Sequence, residues 1–415
     1  MNNTVENYKC RFCSSDRVHS MVDLGMSPLC ESFLSLEQVN QMEAFYPLHV
    51  YVCEECFLVQ LEEFVPREDI FTEYAYFSSY ASSWVQHAKD YTDMVVERFG
   101  LGENNYVVEL ASNDGYLLQH FVNKSIPALG IEPAANVAKA AIEKGVPTQV
   151  LFFDEHSAQK LIKAGKKPDL LIGNNVLAQV PELNSFVKGM KLYLNDAGVI
   201  TMEFPHLLNL MNENQFDTIY HEHFSYFSLI AVENIFSAHG LTIFDVEEIS
   251  THGGSLRIFA AHKEDESKEA TQRLNDLRQR ELDAGLNTLE AYGAFAEQVK
   301  ETKRKILDFF IQAKREGKKV AGYGAPGKGN TLLNFCGVRT DFLDFTVDRN
   351  PYKHSKFLPG THIPIFSPEK IQEEKPDYVF ILPWNFKDEI VEQNSFIREW
   401  GGKFVVPIPE VKVFE

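Results

Sequence analysis

The run Tyr106-Val107-Val108-Glu109-Leu110-Ala111-Ser112-Asn113-Asp114-Gly115-Tyr116-Leu117-Leu118, followed by Ala128-Leu129-Gly130-Ile131-Glu132, decides the fold. Tyr106 to Leu110 is apolar enough for a covered strand, Ala111 to Gly115 is a turn of small residues, and Tyr116 to Val122 opens a helix. A second strand at Ala128 to Ile131 ends in Glu132. Strand, turn, helix and strand in that order predict a doubly wound α/β unit, a parallel sheet with helices on both faces. Further strands are predicted at Asp169 to Ile172, Gly198 to Phe204, Thr242 to Glu247 and Leu256 to Ala261.

The chemistry of this turn follows from its residues. An acid that closes the second strand, about twenty residues past a small-residue turn, is where a doubly wound fold hydrogen-bonds a ribose. Such an arrangement serves S-adenosylmethionine as well as dinucleotides. The turn lacks the full Gly-x-Gly-x-x-Gly that brings a pyrophosphate close to a helix N-terminus, a loss that a cofactor without phosphates tolerates.

N-terminal to this unit, Cys10-Arg11-Phe12-Cys13 and Cys53-Glu54-Glu55-Cys56 form two Cys-x-x-Cys knuckles. Each offers two thiolates from one tight turn, and two such turns close a tetrahedral zinc site with no open position. The zinc is therefore expected to be structural. The gap of about forty residues is longer than in a usual zinc ribbon, while a cytoplasmic setting argues against disulfides. Cys30 and Cys336 read as ordinary buried thiols. Tyr46 to Val52 alternates as a strand, so the N-terminal segment is expected to be a small zinc-held β module. The aromatic segment Phe71 to Tyr80 leads into an amphipathic helix over Ser82 to Phe99; its tyrosines could pack or line a pocket.

On the C-terminal side, Glu264 to Glu316 reads as a helical linker with a solvated charged face. A second nucleotide-type unit begins at Lys319-Val320-Ala321-Gly322-Tyr323-Gly324-Ala325-Pro326-Gly327-Lys328. Its Gly-x-Gly-x-x-Gly spacing follows a strand, and Asp348 closes the next one. The loop suits a dinucleotide, or the diphosphate of a sugar nucleotide with Lys328 supplying charge. Tyr378 to Leu382 and Lys403 to Pro407 extend the same sheet.

The densest group of proton-carrying side chains is Tyr220-His221-Glu222-His223, set between Phe216 and Phe227 in an aromatic stretch that excludes water. A phenol, a carboxylate and two imidazoles together point to proton transfer. A metal reading of His-x-His finds no third ligand at a diagnostic spacing.

The whole chain bounds these readings. Its 415 residues suggest two or three domains. No apolar run approaches the length of a membrane span, and the first residues lack the basic and apolar regions of a signal peptide, so a cytoplasmic protein is expected. A net charge of -19 repels phosphate backbones, which excludes nucleic acid as an expected partner. A monomer or weak homo-oligomer is the expected state.

Taken together, the chain resembles the sugar nucleotide C-methyltransferases that act on 4-keto deoxysugars. The resemblance rests on the two knuckles, on Glu109 to Leu118, on Gly130-Ile131-Glu132-Pro133-Ala134, on Tyr220-His221-Glu222-His223, on His252-Gly253-Gly254-Ser255-Leu256-Arg257, and on Gly322-Tyr323-Gly324-Ala325. It implies a zinc-binding module over 1–72 held by Cys10, Cys13, Cys53 and Cys56, and an S-adenosylmethionine domain over 73–263. A helical connector over 264–318 and a Rossmann-like domain without nicotinamide over 319–415 would follow.

By resemblance Glu109, Ser112, Asn113, Asp114, Gly115, Glu132, Pro133 and Asn174 bind S-adenosylmethionine. A nucleotide-linked keto sugar would lie between the domains, near Gln179, His221, His252, Arg257, Tyr323, Lys328 and Asp348. His223, with an ordinary pKa of about 6.5, is expected to be the base, Tyr220 a donor to the enolate oxygen or a sugar hydroxyl, and Glu222 their orienter. Tyr76 matches an aromatic position of the family's active site. The chain departs at Gln179, where the family often carries His. Two other classes fit parts of the sequence, a nicotinamide-dependent sugar oxidoreductase using Gly322 to Gly327 with Asp348, and a non-catalytic zinc-scaffolded binding protein.

Overall fold

Three β-sheets organise the chain, and the computed structural model describes residues 8–72, 77–80 and 82–415. The N-terminal sheet is antiparallel. It runs from Val18–Ser27 (β1) through Tyr46–Cys53 (β2) to Val59–Leu61 (β3), and its fourth strand comes from far along the chain, Ser225–Tyr226 (β9). The strand expected at Tyr46 to Val52 is present; β1, unrecognised in the sequence, is its long partner.

The central sheet collects Val107–Leu110 (β4), Ala128–Ile131 (β5), Thr148–Gln149 (β6), Leu170–Asn174 (β7), Val199–Pro205 (β8), Leu241–Ile249 (β10) and Ser255–His262 (β11). Its order is β6-β5-β4-β7-β8-β11-β10, parallel up to β8, with β11 antiparallel to both of its neighbours. Strand β4 is the switch point, since the chain moves outward from it first to one side and then to the other. In such a sheet ligands bind beyond the carboxyl ends of the strands at that point. β4 is buried along its whole length, as a parallel strand covered on both faces must be.

The C-terminal sheet repeats the plan with Val320–Tyr323 (β12), Phe345–Val347 (β13), Ile365–Phe366 (β14), Tyr378–Ile381 (β15), Lys403–Val406 (β16) and Lys412–Phe414 (β17). The order β14-β13-β12-β15-β16-β17 makes β12 its switch point. The glycine-rich loop follows β12 and opens the helix Gly327–Cys336. Among the described residues no helix is long and apolar enough to cross a membrane.

The segment expected to be a solvated linker does more. It forms helices Gln272–Asp283 and Leu289–Arg315, and Tyr292, Phe295, Val299, Ile306 and Phe310 line one face of the second in a core shared with β1, β2 and the C-terminal sheet. The charged face does meet water, but the apolar stripe at helical spacing buries the other. Glu281 is fully buried on the first helix. Its carboxylate receives His206 Nε2 at 2.7 Å and the N–H groups of Leu229 (2.6 Å) and Ile230 (2.9 Å), capping the helix Leu229–Ala238. Glu281→Ala leaves an imidazole and two helix donors without partners in a dry interior, at a cost of about 3 kcal/mol. Thermal unfolding should show a clearly lowered transition, with Glu281→Gln recovering part of the loss.

Candidate active site

The carboxyl ends of both parallel sheets open on one cavity of about 350 Å³. From the central sheet come Leu110, Ala111, Ile131, Glu132 and Asn174, at or just past the ends of β4, β5 and β7. The C-terminal sheet supplies Pro326, Gly327 and Lys328 after β12 and Pro383 after β15. The N-terminal module closes a third side with Cys30, Glu31 and Arg67, and Tyr220, Glu222 and His223 complete the wall.

The turn after β4 bends sharply at the end of the strand, its backbone left-handed at Ala111 (φ 55°), Asn113 (φ 49°) and Gly115 (φ 76°). Glu132 holds it, with one oxygen accepting the Asn113 N–H at 2.9 Å and the other accepting the Ala134 N–H at 2.8 Å. Burial pushes the Glu132 carboxyl up to about 7, against these two backbone donors. Asn174 brings both polar atoms of its amide, buried and without partners among the described residues, to the same cavity. A polar ligand that both donates and accepts fits that amide, as S-adenosylmethionine does with its adenosine and amino-acid groups.

Not every residue expected to hold the cofactor lines the cavity. Asn113, Glu132, Pro133 and Asn174 do. Glu109, Ser112, Asp114 and Gly115 are not among the lining residues. Asp114 is tied to Lys144 Nζ at 2.7 Å and to the Ser79 hydroxyl. Among the described residues Glu109 has no hydrogen-bond partner, and burial, with Glu132, Asp114 and Glu203 nearby, drives its carboxyl well above the ordinary range.

The proton-transfer stretch is positioned by its backbone. The Phe224 N–H donates to Ala178 O at 2.7 Å, and Phe224 O accepts the Leu61 N–H at 3.0 Å, pinning the loop between the central domain and β3. His223 Nδ1 lies 3.0 Å from Thr218 O, and a carbonyl can only accept, so Nδ1 carries the proton. The lone pair is left on Nε2. The ring packs at 4.1 Å from Tyr220, and burial, with Lys328 nearby, lowers its pKa to about 4. The expectation of an ordinary value near 6.5 is corrected by this desolvation. Glu222 accepts from the Cys30 thiol at 3.5 Å. Tyr76 lies outside the described residues.

Of the residues expected at the substrate, Gln179, His252 and Lys328 line the cavity, and four others do not. His221 turns away and donates from Nε2 to Pro47 O at 3.1 Å, locking its loop to β2. Arg257 is buried, with Nε 2.7 Å from Glu203 and Nη1 2.8 Å from Glu247. Tyr323 packs inside the C-terminal core, and the Asp348 carboxylate is taken by the N–H groups of Ala325 and Asn350. Each of the four has partners that spacing along the chain does not reveal.

Cys30, Glu31, Trp84, Lys353 and Asn385 line the cavity without having been singled out. Lys353 donates to Ala325 O at 2.8 Å, and Lys328 to Asn385 Oδ1 at 2.9 Å while sitting 4.5 Å above the Trp384 ring. Burial lowers the Lys328 pKa and raises Asp217 to about 6, each opposed by the other's charge.

The four knuckle thiols converge, with every Sγ within 4.8 Å of the others. Cys10 and Cys56 lie 3.6 Å apart, and Cys13 and Cys53 lie 3.5 Å apart. A tetrahedron with Zn–S bonds of about 2.3 Å has edges of about 3.8 Å, so the cluster fits zinc after a small expansion.

Three family models match the chain: a zinc binding domain over residues 10–71, a methyltransferase domain over 84–246, and a C-methyltransferase C-terminal domain over 250–409. The C-methyltransferase NovU of Streptomyces niveus is 35% identical over 405 residues, covering 98% of this chain and 96% of its own. Among solved structures, the PH0226 protein of Pyrococcus horikoshii OT3 matches with a TM-score of 0.38 at 16% identity, over 48% of this chain and 100% of its own. Magnesium protoporphyrin IX methyltransferase of Synechocystis PCC 6803 matches with a TM-score of 0.33 at 15% identity, over 43% and 79%. The chain belongs to the C-methyltransferase family. It is an S-adenosylmethionine-dependent C-methyltransferase with an N-terminal zinc-binding domain.

Two expected outcomes follow from this geometry. Removing zinc with a chelator should lower methyl transfer together with the stability of the N-terminal module, because β3 holds the loop of His223; metal analysis and activity on one chelator series test the coupling. Burial keeps the His223 imidazole neutral above its pKa of about 4. A profile of kcat/KM in the free enzyme should therefore carry no acid limb from His223 between pH 6 and 8, and an acid limb near 6.5 assigned to it would contradict its burial. The unfolded chain protonates first, below about pH 6.5, so folding stability should fall as pH drops from there toward 4.

Proposed function

We propose that the enzyme methylates the carbon next to the ketone, C-3, of a nucleotide-linked 4-keto-deoxysugar through an enolate. One observation carries the reading: a neutral imidazole, with its lone pair on Nε2 and its other nitrogen fixed to Thr218, stands in a water-poor cavity between the turn after β4 and the glycine-rich loop after β12. A carbon acid beside a ketone needs a base and an oxygen-polarising donor at once. His223 takes the proton. Tyr220, packed against it, donates to a sugar oxygen, and Glu222, hydrogen-bonded to Cys30, orients the wall.

Asn113, Glu132, Pro133 and Asn174 would hold S-adenosylmethionine, which supplies a methyl carbon on a positively charged sulfur for a carbanionic carbon to attack. Lys328 and Lys353, both at the glycine-rich loop, suit the diphosphate of the sugar nucleotide, and they do so within a chain whose net charge is -19. Gln179 hydrogen-bonds the sugar in this reading and exchanges no proton. The zinc plays a structural part, since four thiolates fill its coordination. The reading also keeps the enzyme in the cytoplasm, where thiols stay reduced.

Incubation with S-adenosylmethionine and a panel of nucleotide 4-keto sugars should yield a product heavier by one methyl group. His223→Asn keeps the size and removes the base, so turnover should fall by about 10² to 10⁴-fold while both ligands still bind. Near-normal turnover in that variant would exclude His223 as the base.

A further inference from the structure

The cavity holds a second imidazole, contributed by a different part of the fold. His252 lies in the turn between β10 and β11 with φ 55°, followed by Gly253 at φ 89° and Gly254 at φ 111°. A left-handed run of three residues led by a histidine costs energy and persists only where its surroundings hold it. They do so from several sides. Gln215 Nε2 donates to Gly253 O at 2.7 Å, the His206 N–H donates to Gly254 O at 3.1 Å, and the Ser255 hydroxyl donates to Thr251 O at 2.9 Å. A Cβ on Gly253 would lie 2.5 Å from the Trp384 ring, so the turn accepts only glycine beneath that indole.

This framework aims a ring that the protein itself does not use. The imidazole of His252 has no hydrogen-bond partner among the described residues, and its Nδ1 is buried. Trp84 meets it edge-on at 5.0 Å and 87°, fixing the ring plane. It lines the same cavity as His223 and Lys328, and burial, with the Lys328 charge nearby, holds it neutral. A neutral imidazole presents one N–H and one lone pair.

Enolisation at a ketone separates base from donor in space. The breaking C–H bond must align with the carbonyl π system, so the base stands over the face of the carbonyl, while a donor to the oxygen lies near its plane. Tyr220 packs against His223 on the same loop, with ring centres 4.1 Å apart, whereas His252 reaches the cavity from the turn between β10 and β11.

We propose that His252 is a second catalytic residue, whose N–H is donated to the ketone oxygen as His223 removes the proton from the neighbouring carbon. The proposal rests on the keto-sugar reading above. The C–H pair becomes the enolate double bond, the carbonyl π pair moves onto oxygen, and the proton resides on His223 Nε2. His252 keeps its own proton throughout. A neutral donor has the advantage over an imidazolium that it does not return a proton to the enolate before the carbon is methylated.

Proton abstraction can be read apart from methylation, by deuterium uptake into the keto sugar nucleotide in D₂O with S-adenosylhomocysteine bound. His252→Phe should lose deuterium uptake and methyl transfer together, by about 10² to 10³-fold, with S-adenosylmethionine affinity by calorimetry unchanged. His252→Asn, which tolerates a positive φ and restores an N–H donor, should recover at least about tenfold of that loss. Wild-type uptake surviving in His252→Phe, or a His252→Asn variant that binds S-adenosylmethionine yet is no better than His252→Phe, overturns the role of His252 and leaves the keto-sugar reading standing. A wild-type protein that neither exchanges deuterium nor methylates any keto sugar of the panel removes both.

Discussion

The pairing of β3 with β9 is the contact on which the site depends. It is short, with Val59 opposite Tyr226 and Gln60 opposite Ser225, and it continues in the bond from the Leu61 N–H to Phe224 O. Two residues before Phe224 stands Glu222, and one before it stands His223. The knuckle Cys53 to Cys56 lies directly between β2 and β3, and Gln60 Oε1 accepts the Arg11 N–H at 2.9 Å, so β3 is tied to both halves of the metal cluster. A zinc ion held by the four thiols would in this way set the place of His223. An isolated two-residue strand would have no stability of its own, and the metal-held sheet supplies it.

The second constraint is dryness. The proton-transfer groups lie where water is scarce, and desolvation is the largest influence on His223, His252, Lys328 and Asp217 alike. Burial keeps both imidazoles neutral, which suits one to accept a proton and the other to donate a hydrogen bond. It also brings the Lys328 and Asp217 pKa values toward each other from opposite directions, so their charges compensate in place of water. Trp384, whose indole N–H donates to Asp217 at 2.7 Å, closes this corner and bears on the turn of His252.

The architecture brings two switch points to face each other across one cavity. Each doubly wound sheet offers ligand-binding loops only at its carboxyl edge, so two ligands that must react with each other can be held by two sheets set edge to edge. The helix Leu289–Arg315 maintains that arrangement through the apolar stripe it packs against the N-terminal and C-terminal sheets. What looks in the sequence like a connector is part of a shared core.

The sequence by itself determined the main parallel strands of the central sheet, though not β1 or the short strands β3, β6 and β9. Val107 to Leu110 and Ala128 to Ile131 are apolar runs bounded by turn residues, the pattern of short strands covered on both faces. The four thiols were equally legible, because a Cys-x-x-Cys turn is a local structure and two of them need only meet. His223 and its aromatic neighbours could be singled out as a cluster along the chain. Tertiary structure alone decided which side chains face the cavity. His221 and His223 are two residues apart, yet one locks the loop to β2 and the other faces the ligand space. Arg257 and Asp348 carry the charge expected at a binding site, but partners distant in sequence, Glu203 and Ala325, take up their hydrogen bonds. Cys30 and Lys353 reach the cavity only because separate modules pack together. Local periodicity fixes which elements form; the direction of a polar side chain depends on whether a distant partner has already satisfied it.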